Sequence, residues 1–244
     1  MNRIWIICIV ALFLSCQKAP QRSCFKSTGK PVQLIQQLDP FIYLHIGPYI
    51  EVELIQDSLN YIEWNAGQNL ISFLIASVNT DTLYLQNKNK CRFLRYAKGE
   101  VKASVHFTSI HELHLANSEK VSASGTWSQD DLLLYLHEGV GVVDLQLDVQ
   151  KTTVRNNYGW QQLVLSGQAK GLFVDLDGSA ALDARELHVS DSISFRSSSL
   201  LTSYIWADQL LLKAQLYGAG NLYYSGNPLA VLKKEYGQGR VLQQ

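Results

Sequence analysis

His111 and His114 stand three apart with Glu112 between them. On a helix, two imidazoles and a carboxylate at that spacing are half of a zinc site. In a strand, His111 and Glu112 point to opposite faces, as do Leu113 and His114, and a third ligand is missing. The sequence therefore predicts no metal site here. Asp175, Asp177, Asp183 and Asp191 recur through the second half and would form a carboxylate column if their strands stacked. Neighbouring strands lie about 4.8 Å apart, close to the ~5–9 Å separating the acid and base of glycoside hydrolases. The simpler expectation is a solvated face, with Arg185 and Glu186 as a surface pair of little energetic worth. Trp127, Trp160, Tyr217 and Tyr223 are candidate platforms for stacking sugars or a protein, the alternative being that some fill the core or cap an end. Trp127, Trp160, Asp175 and Asp177 are the candidate surface-binding residues. Nucleophile, phosphate-loop and dinucleotide motifs are absent, and Ser166-Gly167 lacks a Gly-x-Ser-x-Gly frame. No catalytic residue and no cofactor is assigned.

One residue has a chemical role written into its neighbourhood. Arg3 leads into an apolar run, 4–14, that is too short for the ~20 residues of a spanning helix. It matches the apolar core of a secretory signal. Leu14-Ser15-Cys16 resembles a bacterial lipobox, whose thiol receives a diacylglycerol after cleavage just before it. The alternative is an ordinary secretory signal with an incidental cysteine. The expected organisation is a signal peptide at 1–15, a lipidated polar tether at 16–30 and a folded domain at 31–244. That implies membrane attachment through the Cys16 lipid and an outer-membrane lipoprotein of the cell envelope, on its periplasmic or surface face. Cys24 and Cys91 remain after Cys8 and Cys16. In an oxidising compartment they read as one disulfide, with two free buried thiols as the alternative. Such a bridge closes a loop of roughly 67 residues, worth up to ~4 kcal/mol.

The elements that would position these groups read as all-β. Lys plus Arg and Asp plus Glu both number 21, so no charge excess draws the chain to nucleic acid. Twelve Tyr, five Trp and 47% apolar residues suit half-buried pleated surfaces. Residues 41–48 and 49–55 alternate on either side of Gly47-Pro48, a strand-turn-strand signal. Residues 61–64 and 82–87 read as further strands, and 69–74 is either a strand or a short helical turn.

From Asp131 the chain repeats in steps of about 20 residues, framed at Asp131, Lys151, Gly171, Asp191 and Gln209. Each step has an alternating run, a small-residue corner and a second apolar run. A unit this small buries its inward face only by stacking on copies of itself, which predicts a parallel β-solenoid. The leucine-rich frame is absent, and a sandwich would not repeat its corners in register. Residues 101–126 look like a less regular preceding rung, and 231–244 like a partial strand covering the open end.

At the last step, residues 216–228 (Leu-Tyr-Gly-Ala-Gly-Asn-Leu-Tyr-Tyr-Ser-Gly-Asn-Pro) closely resemble the closing motif of the bacterial auto-transporter adhesin, head GIN domain family. Residues 41–55, 65–70, 89–91 and 165–169 are also similar to that family, so the resemblance spans roughly 38–230. It implies a right-handed parallel β-helix, membership among lipoproteins, and support for pairing Cys24 with Cys91. The family carries no catalytic residues to transfer. The chain departs from it at Ser197-Ser198-Ser199, a corner with no glycine, where serine side chains must hold the turn. The functional expectation is a non-enzymatic, lipid-anchored envelope protein whose solenoid binds a glycan or an envelope protein, as in adhesion. The rivals are a polysaccharide-acting enzyme and a structural or sensing partner of other envelope proteins.

Overall fold

The computed structural model describes residues 26–92 and 101–244. The lipobox, Cys16 and Cys24 lie outside the described residues. Alternation of apolar and polar side chains dictates the architecture, because each strand buries one side and wets the other. One face is a parallel ladder running β6 (Thr82–Asn87), β2 (Tyr43–Ile46), β8 (Glu112–Leu115), β10 (Trp127–Leu136), β11 (Val142–Asn156), β12 (Gln162–Leu176), β13 (Ala181–Ser197), β15 (Leu211–Leu216) and β17 (Ala230–Glu235). A second face runs β7 (Lys102–Phe107), β3 (Glu51–Gln56), β9 (Val121–Ala123), the first halves of β11, β12 and β13, then β14 (Ser203–Trp206), β16 (Leu222–Ser225) and β18 (Val241–Gln243). In the central rungs a third face adds Trp127, Leu147, Gly167 and Leu187 in register. The fold is thus a β-solenoid with rungs of about 20 residues.

Its core is a set of apolar columns. Leu83, Leu44, Leu113, Leu134, Val154, Val174, Phe195 and Ala214 follow one another in register, all buried. Full burial of a side chain of this size contributes about 1.5–3 kcal/mol.

The predicted framing holds at Asp131, Lys151 and Gly171, then slips. Gly171 faces Ser192 rather than Asp191, and Ser192 faces Leu211 rather than Gln209. The first of these slips comes from β13, where bulges opposite Val164–Ser166 and Ala169–Gly171 insert extra residues. The first half is less regular than expected in another way. β2 lies between β6 and β8, so the earliest rung of the chain is not the outermost. Three antiparallel strands, β1 (Pro31–Gln37), β4 (Tyr61–Gly67) and β5 (Leu74–Asn79), flank that end. Between β4 and β5, residues Ile71–Phe73 form a 3-10 turn, the helical option for that ambiguous segment. At the other end 231–244 forms more than a partial strand: β17 and β18 make a full rung.

The glycine-free corner is held as its composition requires. Ser197 Oγ accepts from the Ser199 N–H at 3.0 Å. Ser199 Oγ accepts from the Leu201 N–H at 3.0 Å and donates to the Ala180 carbonyl at 2.7 Å. The next corner uses Gly220, where a β-carbon would overlap the Leu201 carbonyl oxygen.

Candidate binding surface

Register turns distant residues into outward columns. On the first face Tyr84, His45, His114, Tyr135, Arg155, Asp175, Arg196, Gln215 and Lys234 lie on successive strands. His45 stacks on His114 at 4.1 Å between centroids and meets Tyr84 at 5.0 Å; Tyr135 lies 5.4 Å from His114. His114 Nε2 is 3.0 Å from Glu112 Oε2, and its Nδ1 is 3.1 Å from His137 Nε2. An ionised carboxylate only accepts, so His114 Nε2–H donates to Glu112. With the His114 ring neutral, Nδ1 is then the acceptor for His137 Nε2–H. Burial, and next the neighbouring imidazoles, hold His45 below the usual histidine value, against an opposing pull from Glu112. Burial and then His114 lower His137 in the same way. The contact that forms is Glu112 with His114, both outward on β8, whereas His111 precedes the strand. Among the described residues no group of three or more His, Cys, Asp or Glu side chains has metal-holding geometry.

The aspartates do not form the column considered as the alternative to a solvated face. Asp175 lies between Arg155 and Arg196 and pairs with the latter at 3.3 Å. Asp177 accepts from the Ser198 hydroxyl at the following corner. Asp183 is on the second face, gripped at both oxygens by Arg185 at 2.9 and 2.5 Å, which lowers its carboxyl below the usual range. Arg185 therefore pairs with Asp183, correcting the expected Arg185–Glu186 pair. Among the described residues Asp191 meets the Ser192 hydroxyl alone, at 3.4 Å. An acid–base pair needs two carboxylates facing one another, and bulges and corners separate these four.

The aromatic candidates also divide. Trp127 is 1% exposed, packed on Phe107 at 4.9 Å, with its indole N–H donating to Gln129 Oε1. It is a core residue and not a platform, because its register with Leu147 turns it inward. Tyr217 stacks on Tyr236 at 4.8 Å and Tyr223 on Tyr204 at 5.6 Å, as rung-to-rung contacts. Trp160 alone of the four stands clear, at 69% exposure, beside Tyr158 at 73%. Between them Gly159 takes φ 140, and a β-carbon there would come 2.7 Å from the His137 carbonyl oxygen. The tight corner therefore throws both rings outward. Tyr158 was not singled out by the sequence reading; its position one residue from a glycine corner was the available signal.

Two grooves flank this ridge. One, of about 360 Å³, is lined by Pro48, Tyr49, Ser118, Glu138, Val140 and Trp160 among others. The second, about 520 Å³, is lined by Pro48, Ala116, His137, Glu138, Asn157 and Tyr158. Arg92 covers one side of the Tyr49 ring at 3.7 Å. His137 joins the second groove to the imidazole chain. Cys91 lies near this region of the fold only one residue before Arg92, at φ 55; its candidate partner Cys24 is outside the described residues.

Known proteins agree with the architecture. The chain is similar to a structure described as a putative adhesin from Bacteroides fragilis, with TM-score 0.78 and 18% identity over 88% of this chain and 97% of that one. A putative adhesin from Parabacteroides distasonis gives TM-score 0.63 and 16% identity, over 88% and 98%. A structure from the same species described as a putative lipid binding protein gives 0.57 and 17%, over 89% and 98%. At such identities the likeness concerns the fold. No curated protein matches the chain. The family model described as "putative auto-transporter adhesin, head GIN domain" matches residues 40–228, and the chain belongs to that family.

Proposed function

We infer that this chain is a non-enzymatic, lipid-anchored protein of the bacterial cell envelope that presents its solenoid for adhesion. The observation that carries the reading is the exposed Tyr158–Trp160 ridge between two grooves. Adjacent large aromatic rings in water are a feature of binding surfaces. The family supports an envelope or surface location. Among the described residues no helix is long and apolar enough to cross a membrane. Attachment accordingly rests on acylation of Cys16, where two or more chains anchor stably at about 0.8 kcal/mol per buried CH₂. A Cys24–Cys91 disulfide would tie the tether to the fold. Hydrolysis is the weaker reading, since Asp175 and Asp183 are each engaged by an arginine on different faces.

Cells producing the full chain, Cys16→Ala or Trp160→Ala provide the test. Cys16→Ala should move the protein from the membrane fraction to the soluble one. Trp160→Ala should stay in the membrane fraction but lower adherence several-fold. Unchanged membrane retention in the first would sink the anchor, and unchanged adherence in the second would sink the binding surface.

A further inference from the structure

The chemistry of the corner points to a ligand class, and the inference rests on the binding role given above. We propose that the Tyr158–Trp160 ridge and its two grooves bind a neutral or amino-bearing oligosaccharide. Neighbouring sugar rings stack on Trp160 and on Tyr158, while their hydroxyls and amines turn to the groove walls. A pyranose ring has a face of C–H bonds with partial positive charge, which suits the electron-rich face of an indole or phenol. Its rim of hydroxyls needs acceptors and donors at the edge of that face. The walls supply both. Glu138 is exposed and has no hydrogen bond or ion pair among the described residues. The exposed Asn157 amide donates to the Tyr135 hydroxyl and keeps its carbonyl oxygen for a ligand. Ser118 Oγ accepts the Tyr49 N–H at 3.1 Å, which leaves its own O–H to donate. His137 is a further wall residue of the second groove.

Charge narrows the class. Neither groove is lined by a lysine or arginine among the described residues, and Glu138 is the one carboxylate in both. A uronate or sialylated chain would place a second negative charge beside Glu138 with no lysine or arginine in the groove walls to offset it, since the nearby Arg92 guanidinium is held on the Tyr49 ring by the Asn87 and Asn89 carbonyls. A neutral sugar meets no such penalty, and an amino sugar gains an ion pair. Size agrees, because both volumes fall within the ~300–1,000 Å³ typical of small-ligand sites.

The test uses the full chain in detergent and three probes: cellotetraose, the glucosamine tetramer and the tetramer of galacturonate. Tryptophan fluorescence and calorimetry should detect the first two and not the third. Trp160→Ala should weaken both at least tenfold and Tyr158→Ala several-fold, with unchanged melting temperatures. Glu138→Gln should weaken the glucosamine tetramer several-fold and leave cellotetraose within twofold. Failure of the wild type to bind either probe overturns the proposal, as does binding unaltered by Tyr158→Ala/Trp160→Ala. Tighter binding of the galacturonate tetramer overturns it too. If adherence of cells depends on Trp160 while neither sugar binds, or is abolished by proteolysis of the target surface, the ligand class falls and the binding role stands. If adherence is also independent of Trp160, both fall.

Discussion

His45 and His137 take up protons less readily than free imidazoles would. The His137 Nε2–H to His114 Nδ1 bond needs an unprotonated Nδ1, and His45 lies flat on the same ring. Around them are Glu112, Glu138, Tyr84 and Tyr135, and Glu112 is already used by His114 Nε2. His45 and His137 are both held below the ordinary value of about 6.5, burial being the first cause. Below that pH the unfolded chain binds more protons than the folded one. Stability from these groups is therefore complete above the unfolded value and is lost as pH falls through the folded ones. Both rings are partly solvated, so the effect is modest. The melting temperature should hold above about pH 7.5 and fall by no more than about 2–4 °C at pH 5, the shift that about 1 kcal/mol produces in a domain of this size. His45→Gln/His137→Gln should flatten that slope. A wild-type melting temperature that is flat from pH 7.5 to 5, or a slope unchanged in the double variant, rejects the account.

Corners hold the rungs together, and each does so with whatever its sequence supplies. At Ser197-Ser198-Ser199 two hydroxyls replace the glycine geometry used at Gly220, and Ser199 Oγ serves both the Leu201 N–H and the Ala180 carbonyl. Ser199→Ala leaves those two groups without this partner in a buried corner, at a cost of about 1–3 kcal/mol. Ser198→Ala, on the exposed middle residue, should cost under about 0.5 kcal/mol. Urea midpoints of the two variants measure the difference, and equal midpoints would remove the structural role. This corner was legible in the sequence, since serine side chains bond locally wherever they stand. So was the 20-residue step, because Leu132, Leu134 and Leu136 and their successors alternate within a few residues of one another. The placement of β2 between β6 and β8 was not legible, because it depends on pairing over long sequence separations. Nor was the imidazole chain, whose members at 45, 114 and 137 meet only through that pairing. Trp127 and Trp160 are alike as letters; only the third face, which sets Trp127 against Leu147, makes one core and the other surface.

A solenoid must stop without offering its end to another copy. Among the described residues β17 pairs only with β15 and β18 only with β16, so the outermost rung has a free edge. Exposed Leu229, Leu232 and Tyr236 surround it. The inward columns carry the defence. Ala214 is followed in register by Lys233, and Leu216 by Glu235, so charges occupy positions that are apolar in the rung beneath. Glu235 Oε1 accepts the Val241 N–H at 2.8 Å, and Glu235 lies 3.7 Å from Lys233 and 3.8 Å from Arg240. These groups, the Val241 N–H first, lower the Glu235 carboxyl and keep it ionised. A second solenoid stacking on this end would have to strip water from the whole network. Lys233→Leu/Glu235→Leu continues the apolar columns to the open end instead, where each buried leucine contributes about 1.5–3 kcal/mol. Self-association should strengthen at least about tenfold, seen by sedimentation over a concentration series. Lys234→Leu is the matched control, because Lys234 follows Gln215 in the outward column of the same strand. It removes a charge and adds a leucine without extending the core, so it should sediment like the wild type. A double variant as monodisperse as the wild type, or a Lys234→Leu chain that associates equally, would show that inward charge is not what keeps the end single.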